Sequence, residues 1–207
     1  MDKLRLCLLI LVCLLLWPLS GAAWQQPERM RLGEEVNTKY NETKPLISPT
    51  GKTLYFARQN APTNFKGKRD AQDIYISGHE NGSWNTAVNA GAPLNDRYPN
   101  GINSVSPDGN TLVVLNAYNG LIVRNGISVS RRQGDSWSSP QAVEIRNFYN
   151  RNAYVDYFLS SNEEEMVLAI ETEISYGDQD LYMSILLEDS TWSEPINLGP
   201  TINTESA

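Results

Sequence analysis

Cysteine is nearly absent from this 207-residue chain, and its two copies, Cys7 and Cys13, fall at the extreme N-terminus. The rest of the chain therefore offers no disulfide, no thiolate metal site and no cysteine nucleophile. Histidine is reduced to His79, within the turn-like "SGHENGS", and no Ser or Cys motif accompanies it for a base to act on. Gly-x-Ser-x-Gly and His-Glu-x-x-His are missing as well. No stretch beyond the N-terminus carries a sustained apolar stripe at helical spacing. The nearest helical candidate, "EEEMVLAIE" over residues 163–171, is rich in good helix formers. It occupies a slot that β-prone segments fill elsewhere in the chain.

Long apolar runs are equally scarce. One exists, residues 6–16, and its 11 residues fall short of the roughly 20 a membrane-spanning helix needs. Lys3 and Arg5 precede it, and Pro18, Gly21, Ala22 and Ala23 follow. That is the layout of a secretory signal peptide over residues 1–23, with Trp24 the first mature residue. The expected destination is across the inner membrane, in the periplasm or at the outer membrane, with no membrane span left after cleavage. Asp2, Lys3 and Arg5 together carry one net positive charge, so removing them takes the formal charge from −7 to −8. An acidic balance of this kind repels phosphate backbones, which excludes nucleic acid as a partner.

What remains, with 41% hydrophobic and 20% charged residues over the whole chain, has the composition of a folded domain, residues 24–207. Three markers recur in it. "SPTGKTLYF" from Ser48, "SPDGNTLVV" from Ser106 and the degenerate "SSNEEEMVL" from Ser160 start 58 and 54 residues apart. "DIYIS" at Asp73, "GISVS" at Gly126 and "DLYMS" at Asp180 follow them, and then Trp84, Trp137 and Trp192 at spacings of 53 and 55. The order is the same each time, which is the signature of a repeat architecture.

"SPTG" and "SPDG" are turn sequences: Pro presets φ, Asp or Thr bonds nearby backbone, and Gly tolerates positive φ. β-prone runs flank them, so each forms a hairpin. "TLVVL" is apolar on both faces, as a short strand covered on both sides would be. "DIYIS" and "WNTAV" supply two further strands. Each repeat then holds four short antiparallel strands in about 55 residues, and four-stranded sheets at such a period make a propeller blade. The expected fold class is all-β, with three four-stranded blades at about residues 40–89, 98–144 and 152–198.

"ISPTGKTLYFAR", "DIYIS", "GSW", "APLN" and "WSEPINLGPTIN" resemble the WD-like β-propeller repeat of the SPDG type. That repeat occurs in the TolB propeller and in envelope proteins of the OmpA family. The resemblance implies that the strand before each SPDG turn, near residues 43–48, 101–106 and 153–160, lines a central channel. It also implies an envelope protein or peptide as the partner at the channel mouth. No C-terminal peptidoglycan-binding domain is matched. The third SPDG is replaced by Ser160, Ser161, Asn162 and Glu163, and the Pro of Trp-x-x-Pro is Ala87 in the first repeat.

Carboxylates are candidate chemistry because propeller glycosidases work with pairs of them. Asp70, Asp73, Asp178 and Asp180 precede third strands, and Glu163, Glu164 and Glu165 sit at a turn. Asp73 and Asp180 recur at one repeat position, which favours a role in the sheet itself. "YGDQD" is too short for an EF-hand loop and reads as a solvated loop rather than a Ca²⁺ site. The recurring Trp residues read as packing between strands rather than sugar platforms.

No catalytic residue, metal ligand or cofactor is assigned. The candidate binding residues are those where the chain approaches each first strand: Tyr40 and Glu42, Tyr98 and Asn100, Asn152 and Tyr154. The function expected is a secreted, envelope-associated, non-catalytic scaffold or interaction module. The rivals are a propeller glycosidase-type enzyme and a periplasmic ligand-binding sensor.

"WQQPERMRLGEEVN" from Trp24 matches "WSEPINLGPTIN" from Trp192, so an extra outer strand is expected before the first blade. Three blades do not close a ring of the usual 4 to 8 or so. The expected molecule is an incomplete propeller, continued by at least one further blade after Ala207 or self-associating through its open blade edges.

Overall fold

The computed structural model of the chain describes residues 28–69, 71–119, 122–152, 154–160 and 162–205. The expected signal peptide, Trp24 and Asp70 lie outside them. One compact unit runs from Leu32 to Ala207, and it is all-β with antiparallel pairing throughout its named strands. No helix among the described residues is long and apolar enough to cross a membrane.

Three sheets follow one another along the chain. Sheet 1 holds β1 (Asn41–Ile47), β2 (Thr53–Gln59), β3 (Asp73–Glu80), β4 (Ser83–Trp84) and β5 (Val88–Asn89). Sheet 2 holds β6 (Ile102–Val105), β7 (Thr111–Asn119), β8 (Ile122–Gln133), β9 (Ser136–Trp137) and β10 (Gln141–Ala142). Sheet 3 holds β11 (Asp156–Leu159), β12 (Glu165–Ile170), β13 (Asp180–Ile185) and β14 (Ile196–Asn197). In sheets 1 and 2 the fourth strand comes in two pieces, both paired with the third strand. The segment 163–171 is a strand at β12, not a helix, because register with β11 and β13 overrides its local helix propensity.

The same local chemistry forms each sheet. At the first hairpin the Ser48, Ser106 and Ser160 hydroxyls accept the amide of the residue five further on, at 3.0, 2.9 and 3.0 Å. The fourth residue of each turn has positive φ: Gly51 at 70°, Gly109 at 73° and Glu163 at 59°. Two glycines thus occupy a left-handed position at no steric cost, and Glu163 occupies it with strain. At the other end, the hydroxyls of Ser77, Ser130 and Ser184 donate to the carbonyl after each tryptophan, that of Asn85, Ser138 and Ser193. These bonds hold the broken fourth strand against the third.

The sheets stack through their faces. Leu54 and Phe56 of β2 pack with Tyr75, Val36 and Leu32, so the segment before β1 covers the outer face of sheet 1. Tyr55, on the opposite face of β2, packs with Leu112, Val114 and Trp137 of sheet 2. Val113 and Ile127 face the other way, onto Tyr157, Met166, Leu168, Tyr182 and Trp192 of sheet 3. "TLVVL" is apolar on both faces because sheet 2 lies between the other two. Trp84, Trp137 and Trp192 each pack toward the preceding layer.

Residues 28–37 form no strand, so the outer strand expected before the first sheet is not present in its described part. Instead Gly33 accepts from the amides of Val36 and Asn37, and Glu35 accepts from Ala87.

Candidate functional site

Carboxylates at the ends of the third strands are consumed by the sheets. Asp73 Oδ2 accepts the Phe65 amide at 2.8 Å and the Asn89 side chain at 2.6 Å. Asp180 Oδ2 accepts the Tyr176 amide at 2.8 Å and the Asn197 side chain at 2.7 Å. Asn89 and Asn197 pass the network on to Gly91 and Asn95, and to Gly199 and Asn203. Asn95 then brackets Ile74 with both its side-chain atoms, and Asn203 brackets Leu181 in the same way.

Burial pushes the Asp180 carboxyl up, but the Tyr176 and Gly177 amides and the Asn197 side chain outweigh it and hold the group below its ordinary value. The oxygens of Asp180 that "YGDQD" offered to a cation therefore close their own loop. Among the described residues no group of three or more His, Cys, Asp or Glu could hold a metal ion.

Sheet 2 departs from this scheme in one concerted step. Gly126, Ala142 and Phe148 stand where the other sheets carry Asp, Asn and Asn, and β7 and β8 run on into a longer hairpin. Gly126 has φ 147°, and a Cβ there would lie 2.9 Å from the Ala117 Cβ. A cavity of about 520 Å³ opens beside it, lined among others by Tyr118, Arg124, Gln141, Glu144 and Tyr157. The Tyr157 hydroxyl is buried with no hydrogen-bond partner among the described residues, and burial pushes its pKa up.

The remaining chemistry-bearing residues are placed as follows. Asp108 takes bonds from the Ser106 hydroxyl and from Asn110, which hold its carboxyl below the usual range. His79 lies near the end of β3 rather than at a hairpin tip, its ring 4.8 Å from that of Trp84.

At the approaches to the first strands one turn recurs. Thr38 Oγ1, Asp96 Oδ1 and Asn150 Oδ1 accept the amides of Tyr40, Tyr98 and Asn152, two residues on. Glu42 and Asn100 close the first two turns: Glu42 accepts from Thr38 and from Arg58 Nε at 2.9 Å, and Asn100 exchanges bonds with Asp96 and donates to Tyr118. Asn100 is buried. Asn152 donates to Glu171 and accepts from the Tyr154 amide. Tyr154 is 77% exposed, and Tyr40 and Tyr98 are half-buried, with Lys39 and Arg97 over their rings. Of the six candidates, the tyrosines present surface, and Glu42 and Asn100 are spent on turns.

Two residues the sequence left unmarked join the first strands of sheets 1 and 3. Lys44 Nζ and Asp156 Oδ1 are 2.7 Å apart, 112 positions apart in the chain. With Pro45, Leu46, Ile102, Asn103 and Tyr157 they line a cavity of about 170 Å³, so all three first strands meet at one place. β1 and β6 are irregular there, with register shifts between Thr43 and Leu46 and between Ile102 and Ser104. Only repeat alignment could have pointed to Lys44 and Asp156, since neither belongs to a motif.

No protein-family model matches the chain, and no curated protein matches it. Among solved structures it is similar to a protein described as a "putative 6-phosphogluconolactonase from Bacteroides uniformis", at 14% identity and a TM-score of 0.39. The match covers 79% of this chain and 40% of that one, so this chain spans well under half the length of that structure. A likeness at that TM-score assigns neither fold nor activity.

Proposed function

We propose that this chain is a non-catalytic interaction module built of propeller-type blades, exported to the cell envelope, which binds an envelope protein or peptide at the approaches to its first strands. One observation supports it above the rest. Three sheets share the serine-anchored hairpin turns and stack face to face, while side chains at the strand approaches differ: Asn152 stands where the other sheets carry Tyr40 and Tyr98, and Tyr154 where they carry Glu42 and Asn100. A uniform scaffold with variable loops is an arrangement that suits recognition. Asp73 and Asp180, two of the candidate carboxylates, are occupied by backbone amides and amide side chains, which favours a role in the sheet over hydrolysis for both.

Cell fractionation with N-terminal sequencing of the epitope-tagged chain tests the placement. The expected product begins near Trp24 and sits in the periplasmic or outer-membrane fraction; an uncleaved cytoplasmic product overturns the reading. Site-specific photo-crosslinking from positions 98 and 154, against position 65 as control, tests the binding surface. A defined envelope partner captured from 98 and 154 alone is expected, and equal labelling from all three refutes a binding rim.

A ligand-binding sensor is the second reading, favoured by the cavity beside Gly126 and the unpartnered Tyr157 hydroxyl. Such a sensor would gain thermal stability with a small polar ligand, and Tyr157→Phe would abolish that gain.

A further inference from the structure

Sheets 1 and 3 build a polar network at the start of their third strands, and sheet 2 replaces it. Tyr75 donates to Asn64 beside the linked Asp73, Asn89 and Asn95. The Tyr182 hydroxyl meets Thr172 and Ser175 beside the linked Asp180, Asn197 and Asn203. The four matching positions of sheet 2 are Gly126, Ser128, Ala142 and Phe148. Ser128 turns to the backbone of its own hairpin, donating to the Asn116 carbonyl and accepting the Tyr118 amide. The other three line the cavity of about 520 Å³, a volume within the roughly 300–1,000 Å³ of small-molecule sites.

The cavity is lined by two kinds of side chain. Ile127, Val143 and Phe148 are apolar and belong to the core between sheets 2 and 3. Arg124, on β8, and Glu144, two residues beyond β10, line the same cavity. Among the described residues neither forms an ion pair, with the other or with a third group, although nearby arginines do: Arg131 with Glu163, Arg146 with Asp189, and Arg151 with Glu171. Tyr157 is a further wall, 4% exposed, and its hydroxyl has no hydrogen-bond partner among the described residues.

We propose that this cavity binds a small zwitterion with an apolar side chain, its carboxylate on Arg124, its ammonium on Glu144 and its apolar part against Ile127, Val143 and Phe148. That is the chemistry of a free α-amino acid or a short peptide. The guanidinium fork of arginine matches a carboxylate, and a glutamate carboxylate accepts the ammonium protons. An anionic ligand would set a second negative charge near Glu144, and a cationic one a second positive charge near Arg124. A ligand with both charges pairs both groups, and a polar atom that reaches the Tyr157 hydroxyl satisfies a group the fold leaves bare. The inference rests on the sensor reading of this cavity and is independent of what the strand approaches bind.

Isothermal titration calorimetry on the purified protein tests it, with L-phenylalanine and L-alanyl-L-phenylalanine as zwitterions. N-acetyl-L-phenylalanine keeps only the carboxylate and L-phenylalaninamide only the ammonium. At least one zwitterion is expected to bind, about tenfold more tightly than either singly charged analogue, the scale of one hydrogen bond to a charged group. The tighter of the two zwitterions tells a free amino acid from a peptide. Arg124→Gln is expected to weaken the zwitterion and the N-acetyl acid about tenfold and to spare the amide. Glu144→Gln should weaken the zwitterion and the amide and spare the acid. Both residues are exposed, so both variants are expected to fold, which thermal melts check. Lys52→Gln, exposed in the first hairpin turn outside the cavity, should change nothing. Failure of both zwitterions to bind at about 5 mM overturns the inference, as does equal weakening of every probe by both variants. Binding of a neutral disaccharide such as trehalose without the zwitterions keeps the sensor reading and overturns this one.

Discussion

The Asp180 carboxylate and the Asn197 amide meet at 2.7 Å across β13 and β14, and Asp73 and Asn89 repeat the contact in sheet 1 at 2.6 Å. Because Asp180 is 2% exposed and also receives two backbone amides, replacing it leaves buried donors without an acceptor. Asp180→Asn is expected to cost about 2 kcal/mol at neutral pH, the scale of hydrogen bonds to a charged group. Urea denaturation measures it.

The same carboxylate makes stability depend on acid. Its folded pKa is lowered, so its contribution is complete above the unfolded aspartate value of about 3.9 and is lost as pH falls through the lower folded value. Denaturation curves of the parent and Asp180→Asn should therefore differ at pH 6 and draw together as pH falls below the unfolded value and through the lower folded one. Parallel curves across that range would show that the charge contributes nothing.

Glu163 holds a left-handed φ of 59° where its counterparts are Gly51 and Gly109. Glu163→Gly is expected to stabilise the protein by about 1 kcal/mol through relief of that strain. The substitution also removes the ion pair with Arg131, but that pair spans 4.0 Å and is exposed on the arginine side, so its removal offsets little. A rise in Tm would register the gain.

Arg58 is buried at 7% exposure, paired with Glu42 at 2.9 Å, bonded to the Val36 carbonyl and set 4.3 Å from the centre of the Tyr75 ring. Arg58→Met strands Glu42 and is expected to cost about 3 kcal/mol. The double variant with Glu42→Gln should recover part of that cost; a cycle with no coupling would count against the pair.

Gly126→Ala tests the departure of sheet 2 from its neighbours. The added Cβ would meet the Ala117 Cβ at 2.9 Å with φ at 147°, a conformation that costs a residue with a side chain on the order of 1–3 kcal/mol. Gly134→Ala, with nothing near its Cβ position but a positive φ of 60°, should cost about 1 kcal/mol, from backbone strain alone. Urea denaturation of the two variants side by side separates the steric cost from the backbone one.

The all-β class was legible because Ser48, Ser106 and Ser160, the third-strand segments and the tryptophans recur in one order, and each marker performs a local hydrogen-bonding or packing task that its neighbours dictate. Asp73 and Asp180 were readable as parts of the sheet for the same reason. Glu42 and Asn100 were less so. Both turn back onto residues four positions earlier, Thr38 and Asp96, a spacing visible in the chain but equally consistent with an exposed loop.

By itself, then, the sequence determined where strands start and turn, since those choices depend on backbone angles and side-chain oxygens within five residues. Tertiary structure decided which faces are covered. The Lys44 and Asp156 contact joins strands 112 positions apart, and Tyr55, Val113 and Phe158, on matching faces of the three sheets, differ in exposure because of what stacks on them, not because of their composition. Burial belongs to the layer above a side chain, and a repeat that writes the same face three times does not encode which copy is left without one.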